Sequence, residues 1–177
     1  MRALLASATL ILPTLAFAAG GGSSTPPKQT NTTAVCENGM VWDEKTEACV
    51  APQESRLDDK TLYEAAREFA YAGQYQNTLD VLDAMSDQQD DGVLTYRGFA
   101  NRKLGDWDLG MAFYAEALAI NPDNLLARSY MGQAFVEDGQ IDLAQAQLTE
   151  IRTRGGRGTW AEFSLRQALE SGRGYSY

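Results

Sequence analysis

The sequence predicts an all-α protein, a stack of about three helix-turn-helix hairpins closed by a C-terminal capping helix. Three observations predict it. From Asp58 to Leu169 the apolar residues recur at helical spacing, strand-like alternation is absent, and Pro122 is the only proline. Within that stretch Gly73, Gly105 and Gly139 each close an apolar-periodic run, as a glycine just past a helix end does. Each is followed by re-entry into a new helical pattern at Gln74-Tyr75, Asp106-Trp107 and Gln140-Ile141, and the spacing of the glycines is 32 and then 34 residues. A constant period near 34 with one turn per unit describes a solenoid whose units bury their apolar faces on one another.

Taken in order, the chain begins with a different kind of sequence. Met1-Arg2 opens it, Ala3 to Leu12 is apolar or small, Pro13 interrupts, and Ala16-Phe17-Ala18 supplies a small-x-small cleavage site. That is the layout of a secretory signal peptide over 1–18, too short to span a bilayer and removed on export. No cysteine follows it directly to take a lipid anchor. Residues 19–34 are mostly Gly, Ser, Thr, Pro, Asn and Gln and read as a flexible linker. Asn31-Thr32-Thr33 matches an N-glycosylation acceptor. Cys36 and Cys49 are the only cysteines, and in an exported chain such a pair reads as one disulfide. Met40 to Trp42 would be the first strand of the loop it closes and Asp43 to Thr46 the turn, with 35–57 forming a disulfide hairpin and its connection to the helices.

The helical region, 58–172, divides into 59–90, 91–124 and 125–154, followed by a capping helix over 158–172 and a tail over 173–177. Ala66, Gly98 and Gly132 fall at one position of the unit and Thr78, Gly110 and Ala144 at another. Small residues there let two helix backbones approach closely. Phe69, Trp107, Tyr114 and Leu148 are large enough to fill the space between hairpins. Trp160, Phe163, Leu165 and Leu169 are the large apolar residues of the last helix, which shields the open end of the stack.

These positions carry a resemblance to the tetratricopeptide repeat. Leu94, Gly98, Gly105-Asp106-Trp107, Gly110, Tyr114, Ala117 and Asn121-Pro122 follow that family's pattern in the second unit. Met131-Gly132, Phe135, Gly139, Ile141, Ala144 and Leu148 follow it in the third, and Leu62, Ala66, Phe69, Gly73, Tyr75 and Thr78 in the first. Asn101 and Arg128 depart from it, standing where aromatic or large apolar residues are usual, and Met85 and Ile151 replace small ones. The resemblance implies a right-handed superhelix whose first helices line a concave groove for a partner protein or peptide. By position, that groove would present Tyr63, Arg67 and Tyr71, then Thr95, Phe99, Arg102 and Lys103, then Ser129, Gln133, Val136 and Glu137. The subfamily that grips a partner's terminal carboxylate uses a Lys/Asn clamp. Tyr63, Arg67, Tyr96 and Phe99 occupy those positions here and do not match it. Separately, Cys36-Glu37-Asn38-Gly39-Met40-Val41-Trp42-Asp43 is similar to a segment of peritrophin-type chitin-binding modules, which implies a sugar-stacking role for Trp42. The alternative is that Trp42 packs on the disulfide or on the next domain.

Charge and composition narrow the function. The chain has 24 Asp and Glu against 15 Lys and Arg, a net charge of −9, and no histidine. An acidic chain without clustered basic residues does not suit nucleic acid or an anionic membrane. Without histidine there is no Ser-His-Asp triad, Cys-His pair or histidine metal site. The acidic runs Asp58-Asp59 and Asp87 to Asp91 lack the ligand spacing of a calcium loop, and Asp59 and Asp91 stand where helix caps are expected. Arg152, Arg154 and Arg157 read as cations at a helix C-terminus, with an anion contact as the alternative. The expectation is a non-enzymatic adaptor or scaffold, exported and in the periplasm if bacterial. It would bind a partner protein or peptide, with no cofactor, no metal, no nucleic acid, no membrane segment in the mature chain, and room for a homo-oligomer. The competing expectation is a cell-wall or carbohydrate-associated protein that recognises its ligand through the Cys36–Cys49 hairpin.

Overall fold

The computed structural model describes residues 26–54 and 57–174. The signal-peptide segment 1–18 and residues 175–177 of the tail lie outside the described residues. A short helical turn, α1 (Asn31–Ala34), leads into an antiparallel pair, β1 (Val41–Asp43) and β2 (Ala48–Val50). Seven longer helices follow: α2 (Asp59–Tyr71), α3 (Tyr75–Asp83), α4 (Asp91–Lys103), α5 (Trp107–Ile120), α6 (Leu125–Glu137), α7 (Ile141–Thr153) and α8 (Trp160–Ser171). Each of these packs on its neighbour in sequence, and α2 also meets α4, α4 meets α6 and α6 meets α8. The arrangement is three helical hairpins in series, with α8 laid on the last.

Local sequence sets the helix ends. The carboxylates of Asp58, Asp90 and Asp106 accept from the backbone N–H of Thr61, of Gly92 and Val93, and of Leu109 respectively. Each satisfies donors that a first helical turn leaves unpaired. The caps lie one residue before the Asp59 and Asp91 expected for that role. Those two aspartates make longer connections. Asp59 accepts from the Ser86 backbone N–H at 3.0 Å, closing the first hairpin. Asp91 accepts from the side-chain amides of Asn121 (2.8 Å) and Asn124 (2.7 Å), tying the second hairpin to the start of the third. Between the helices of each hairpin, Gly73, Gly105 and Gly139 have φ of 75°, 99° and 76°, a left-handed conformation costly for any residue with a Cβ.

The small positions mark close approach. A Cβ on Gly98 would lie 2.6 Å from the Tyr114 ring, and one on Gly110 would lie 2.9 Å from the Gly98 carbonyl. At Gly132 the nearest neighbour is Leu165 of α8, at 2.7 Å, so this glycine admits the capping helix. Arg128 and Asn101, polar where large residues would be expected, are accommodated locally. Arg128 donates to the Pro122 carbonyl from Nε (3.1 Å) and Nη2 (2.8 Å), holding the bend between α5 and α6. Asn101 donates to the Arg97 carbonyl of its own helix at 2.9 Å.

The linker expected over 19–34 ends earlier than its composition suggests. Thr30 to Ala34 is seated on α2 by a single carboxylate, Glu68, which accepts from the Thr30 N–H (2.9 Å), the Thr30 hydroxyl (2.6 Å), the Thr33 N–H (3.1 Å) and the Thr33 hydroxyl. The Trp42 N–H donates to Thr32 Oγ1 at 3.2 Å, joining this turn to β1. Cys36 and Cys49 form the expected disulfide. Strand β1 starts at Val41, one residue later than expected, and includes Asp43. The Asp43 carboxylate accepts from the Lys45 N–H (3.0 Å) and the Thr46 hydroxyl (2.7 Å) and so shapes the turn. Val41 has no exposed surface and belongs to the large apolar cluster that includes Phe69, Val81, Tyr96 and Tyr130. Burying it stabilises the N-terminal module on the helices by about 2 kcal/mol.

Candidate functional site

Because α2, α4 and α6 pack side by side, residues at one position of the unit form a row. Tyr71, Lys103 and Glu137 share a position, as do Arg67, Phe99 and Gln133, and Tyr63, Thr95 and Ser129. Lys103 Nζ lies 3.3 Å from Glu137 across the two helices, 34 residues on, which is one repeat period.

Of the residues expected to present themselves to a partner, few reach solvent. Tyr63, Tyr71 and Lys103 are half-buried, and Glu137 is exposed. Phe99 is 1 % exposed, with its ring against Tyr75, Tyr96 and Tyr130 at centroid distances of 5.9, 6.5 and 4.7 Å. Thr95 is fully buried, donating to the Asp91 carbonyl at 2.6 Å and accepting from Asn124 at 3.0 Å. Ser129 and Gln133 are fully buried as well. Ser129 Oγ sits 2.9 Å from Ser164 Oγ of α8 and accepts from Gln133 at 3.3 Å. These four side chains are therefore interior packing rather than groove surface, and so is Val136, 4 % exposed in the apolar cluster of α6, α7 and α8. The reason is the extra layer: a helix flanked on both sides buries positions that a two-helix reading leaves open, and α8 covers the third hairpin.

Arg67 and Arg102 are nearly buried cations, each tied to an acid. Arg67 donates to Glu64 at 2.7 Å and to the Tyr96 hydroxyl at 3.4 Å. Burial alone would depress its guanidinium, but the Tyr96 hydroxyl and Glu64 outweigh that and hold the proton more firmly than usual. Arg102 donates to Glu137, and its guanidinium stands 5.7 Å over the Phe99 ring. Burial, reinforced by neighbouring Arg102, lowers the Lys103 ammonium below the ordinary lysine range. Tyr96 is pushed up by burial, so its phenol stays neutral.

Two further residues support this face from below and beside it. Tyr130, fully buried, brings its hydroxyl 3.3 Å from that of Tyr71, spanning from the first hairpin to the third. Tyr130 lies one period after Tyr96, so the repeat contained the signal. Glu64, the acid on Arg67, takes the same place in the shorter first unit. The result is a buried aromatic layer of Tyr96, Phe99 and Tyr130, with Tyr63, Tyr71, Lys103 and Glu137 reaching solvent above it. Such a surface offers aromatic and charged contacts already fixed in position.

A concavity lies at the N-terminal end. Trp42 and the turn of the disulfide hairpin face the first turns of α2 across a cleft of about 360 Å³, which Thr30, Leu57, Lys60, Glu64 and Glu68 help to line. Of the arginines expected as cations at a helix C-terminus, Arg152 donates to Glu162 at 2.7 Å, and Arg154 pairs with Asp123 and with Glu150. Among the described residues no group of three or more acids or cysteines is placed to hold a metal, and no helix is long and apolar enough to cross a membrane. No protein-family model matches the chain, and neither a curated protein nor a solved structure does.

Proposed function

We propose that this chain is an exported adaptor or scaffold of the tetratricopeptide type that holds a partner protein or peptide, in the cell envelope, along the groove formed by α2, α4 and α6. One observation carries the reading. Tyr63, Tyr71, Lys103 and Glu137 come from three parallel layers and stand partly exposed on a packed aromatic bed. Side chains fixed in this way lose little freedom when a partner docks. The non-enzymatic part of the proposal rests on the sequence, which has no histidine.

The test is affinity capture from the native envelope with the wild-type chain and with Tyr71→Ala/Lys103→Glu. Both side chains are half-buried, Tyr71 at the edge of the apolar cluster and Lys103 beside Glu137, so the variant should fold with a lowered melting point. Its captured partner should be lost at a temperature where circular dichroism shows the variant folded. Undiminished capture by the variant, or capture by residues 19–57 alone, would sink the proposal. The reading in which the disulfide hairpin binds glycan rests on Trp42 lining the N-terminal cleft, and saccharide binding abolished by Trp42→Ala would establish it.

A further inference from the structure

The N-terminal cleft points to a second contact, beyond the groove. In β1 the flanking residues Val41 and Asp43 are buried, at 0 % and 4 % exposure, whereas Trp42 is half-buried and lines the cleft. An indole is the strongest of the aromatic platforms for a cation. The opposite wall comes from the start of α2, where Asp58, Thr61, Glu64 and Glu68 recur at helical spacing and therefore share a face.

Charge decides what suits this space. Asp43, Glu44, Asp58, Glu64 and Glu68 border it, against Lys45, Lys60 and the Arg67 guanidinium paired with Glu64, which leaves the acids in excess. Most of these carboxylates are held in place by local donors. Glu68 is held by Thr30 and Thr33, Glu64 by Arg67, and Asp58 by Thr61. The Thr61 hydrogen bonds also keep the Asp58 carboxyl below its ordinary range, so it remains anionic. An aromatic wall facing fixed negative charge, in a chain of net charge −9, attracts a cation and gives no advantage to an anion. At about 360 Å³ the cleft is at the small end of ligand pockets, with room for one long side chain rather than a folded surface.

We propose that the cleft between the disulfide hairpin and α2 receives a lysine or arginine side chain from a basic segment of a partner protein, with the cation over Trp42 and between the Glu44 and Glu64 carboxylates. Neither Tyr71 nor Lys103 lines the cleft, so this contact stands or falls separately from the groove.

The experiment titrates the oxidised full chain with a capped Gly-Lys-Gly-Lys-Gly peptide and follows the indole N–H resonance of Trp42, identified by its loss in Trp42→Phe. A Glu-containing twin of the peptide and a neutral N-acetylglucosamine oligomer serve as the other probes. The Lys peptide should shift that resonance saturably and leave those of Trp107 and Trp160 in place. The Glu twin and the saccharide should not move it. The exposed-surface variant Glu44→Lys, checked for an unchanged melting curve, should weaken Lys-peptide binding about fivefold. An unmoved Trp42 resonance, an equal shift with the Glu twin, a shift with the saccharide alone, or undiminished binding by Glu44→Lys would each overturn the proposal.

Discussion

The two ends of the helical stack solve one problem by different means. A hairpin at the end of a series leaves an apolar face uncovered. At the C-terminal end α8 covers it with apolar area: Ala161, Leu165 and Ala168 are buried against Val136, Ala144, Leu148 and Ile151, with the buried Ser129–Ser164 contact and the Arg152–Glu162 ion pair as polar links. At the N-terminal end a three-residue strand contributes Val41 to the core, and the rest is a carboxylate latch at Glu68 and a disulfide. A helix places an apolar residue on one face every three or four positions and needs no covalent aid. A short hairpin has too few inward side chains and is held by a crosslink and by hydrogen bonds to a buried acid.

Breaking the apolar end should have the largest effect. Leu165 is fully buried and fills the space over Gly132, so Leu165→Ala should cost about 4 kcal/mol in urea unfolding. Hydrogen exchange should quicken in α7 and α8 and leave α2 protected. Unchanged stability would show that α8 is not a structural cap. Removing the crosslink comes next. The Cys36–Cys49 loop spans a separation of 13 residues, and Cys36→Ser/Cys49→Ser should cost about 3 kcal/mol on chain-entropy grounds. Exchange should rise in β1, β2 and α2 but not in α6 to α8. A uniform rise along the chain would mean that the two ends are not independent.

Acid sharpens the comparison with the smallest effect. Hydrogen bonds from Ser86 hold Asp59 below its ordinary value of 3.8, and the Gly158 N–H, with Arg152, holds Glu162 below 4.5. Both folded-state values are depressed, so the stability they contribute is present above those ordinary values and is lost as pH falls through the folded ones. The urea midpoint should therefore drop below about pH 4.5, and Asp59→Asn and Glu162→Gln should each flatten part of the fall. Both residues are half-buried at the surface, so each contribution is small. A midpoint independent of pH in that window would contradict the assignment.

Helix boundaries were the most legible part of the sequence, because they rest on local chemistry. Gly73, Gly105 and Gly139 mark turns that a residue with a Cβ enters only at a cost, and Gly98 and Gly110 mark a contact that excludes side chains. The short range of capping made its position less certain by one residue, at Asp58 and Asp90. Glu68 was not legible as a latch. Its partners Thr30 and Thr33 lie more than 30 residues away in a stretch whose composition suggested a linker. The face shared by α2, α4 and α6 was legible as a row and not as a surface. The period put Tyr63, Thr95 and Ser129 in register, but exposure depends on what lies outside each helix.

The sequence by itself determined the helices, their turns, the repeat and the disulfide pair, since each follows from neighbours along the chain or from a spacing that can be counted. Tertiary structure decided which side chains are left facing solvent. Thr95, Phe99, Ser129 and Gln133 disappear because burial is settled by helices arriving from one period before and after. Tyr63, Tyr71, Lys103 and Glu137 remain accessible, and Trp42 comes to face the carboxylates of α2, for the same reason.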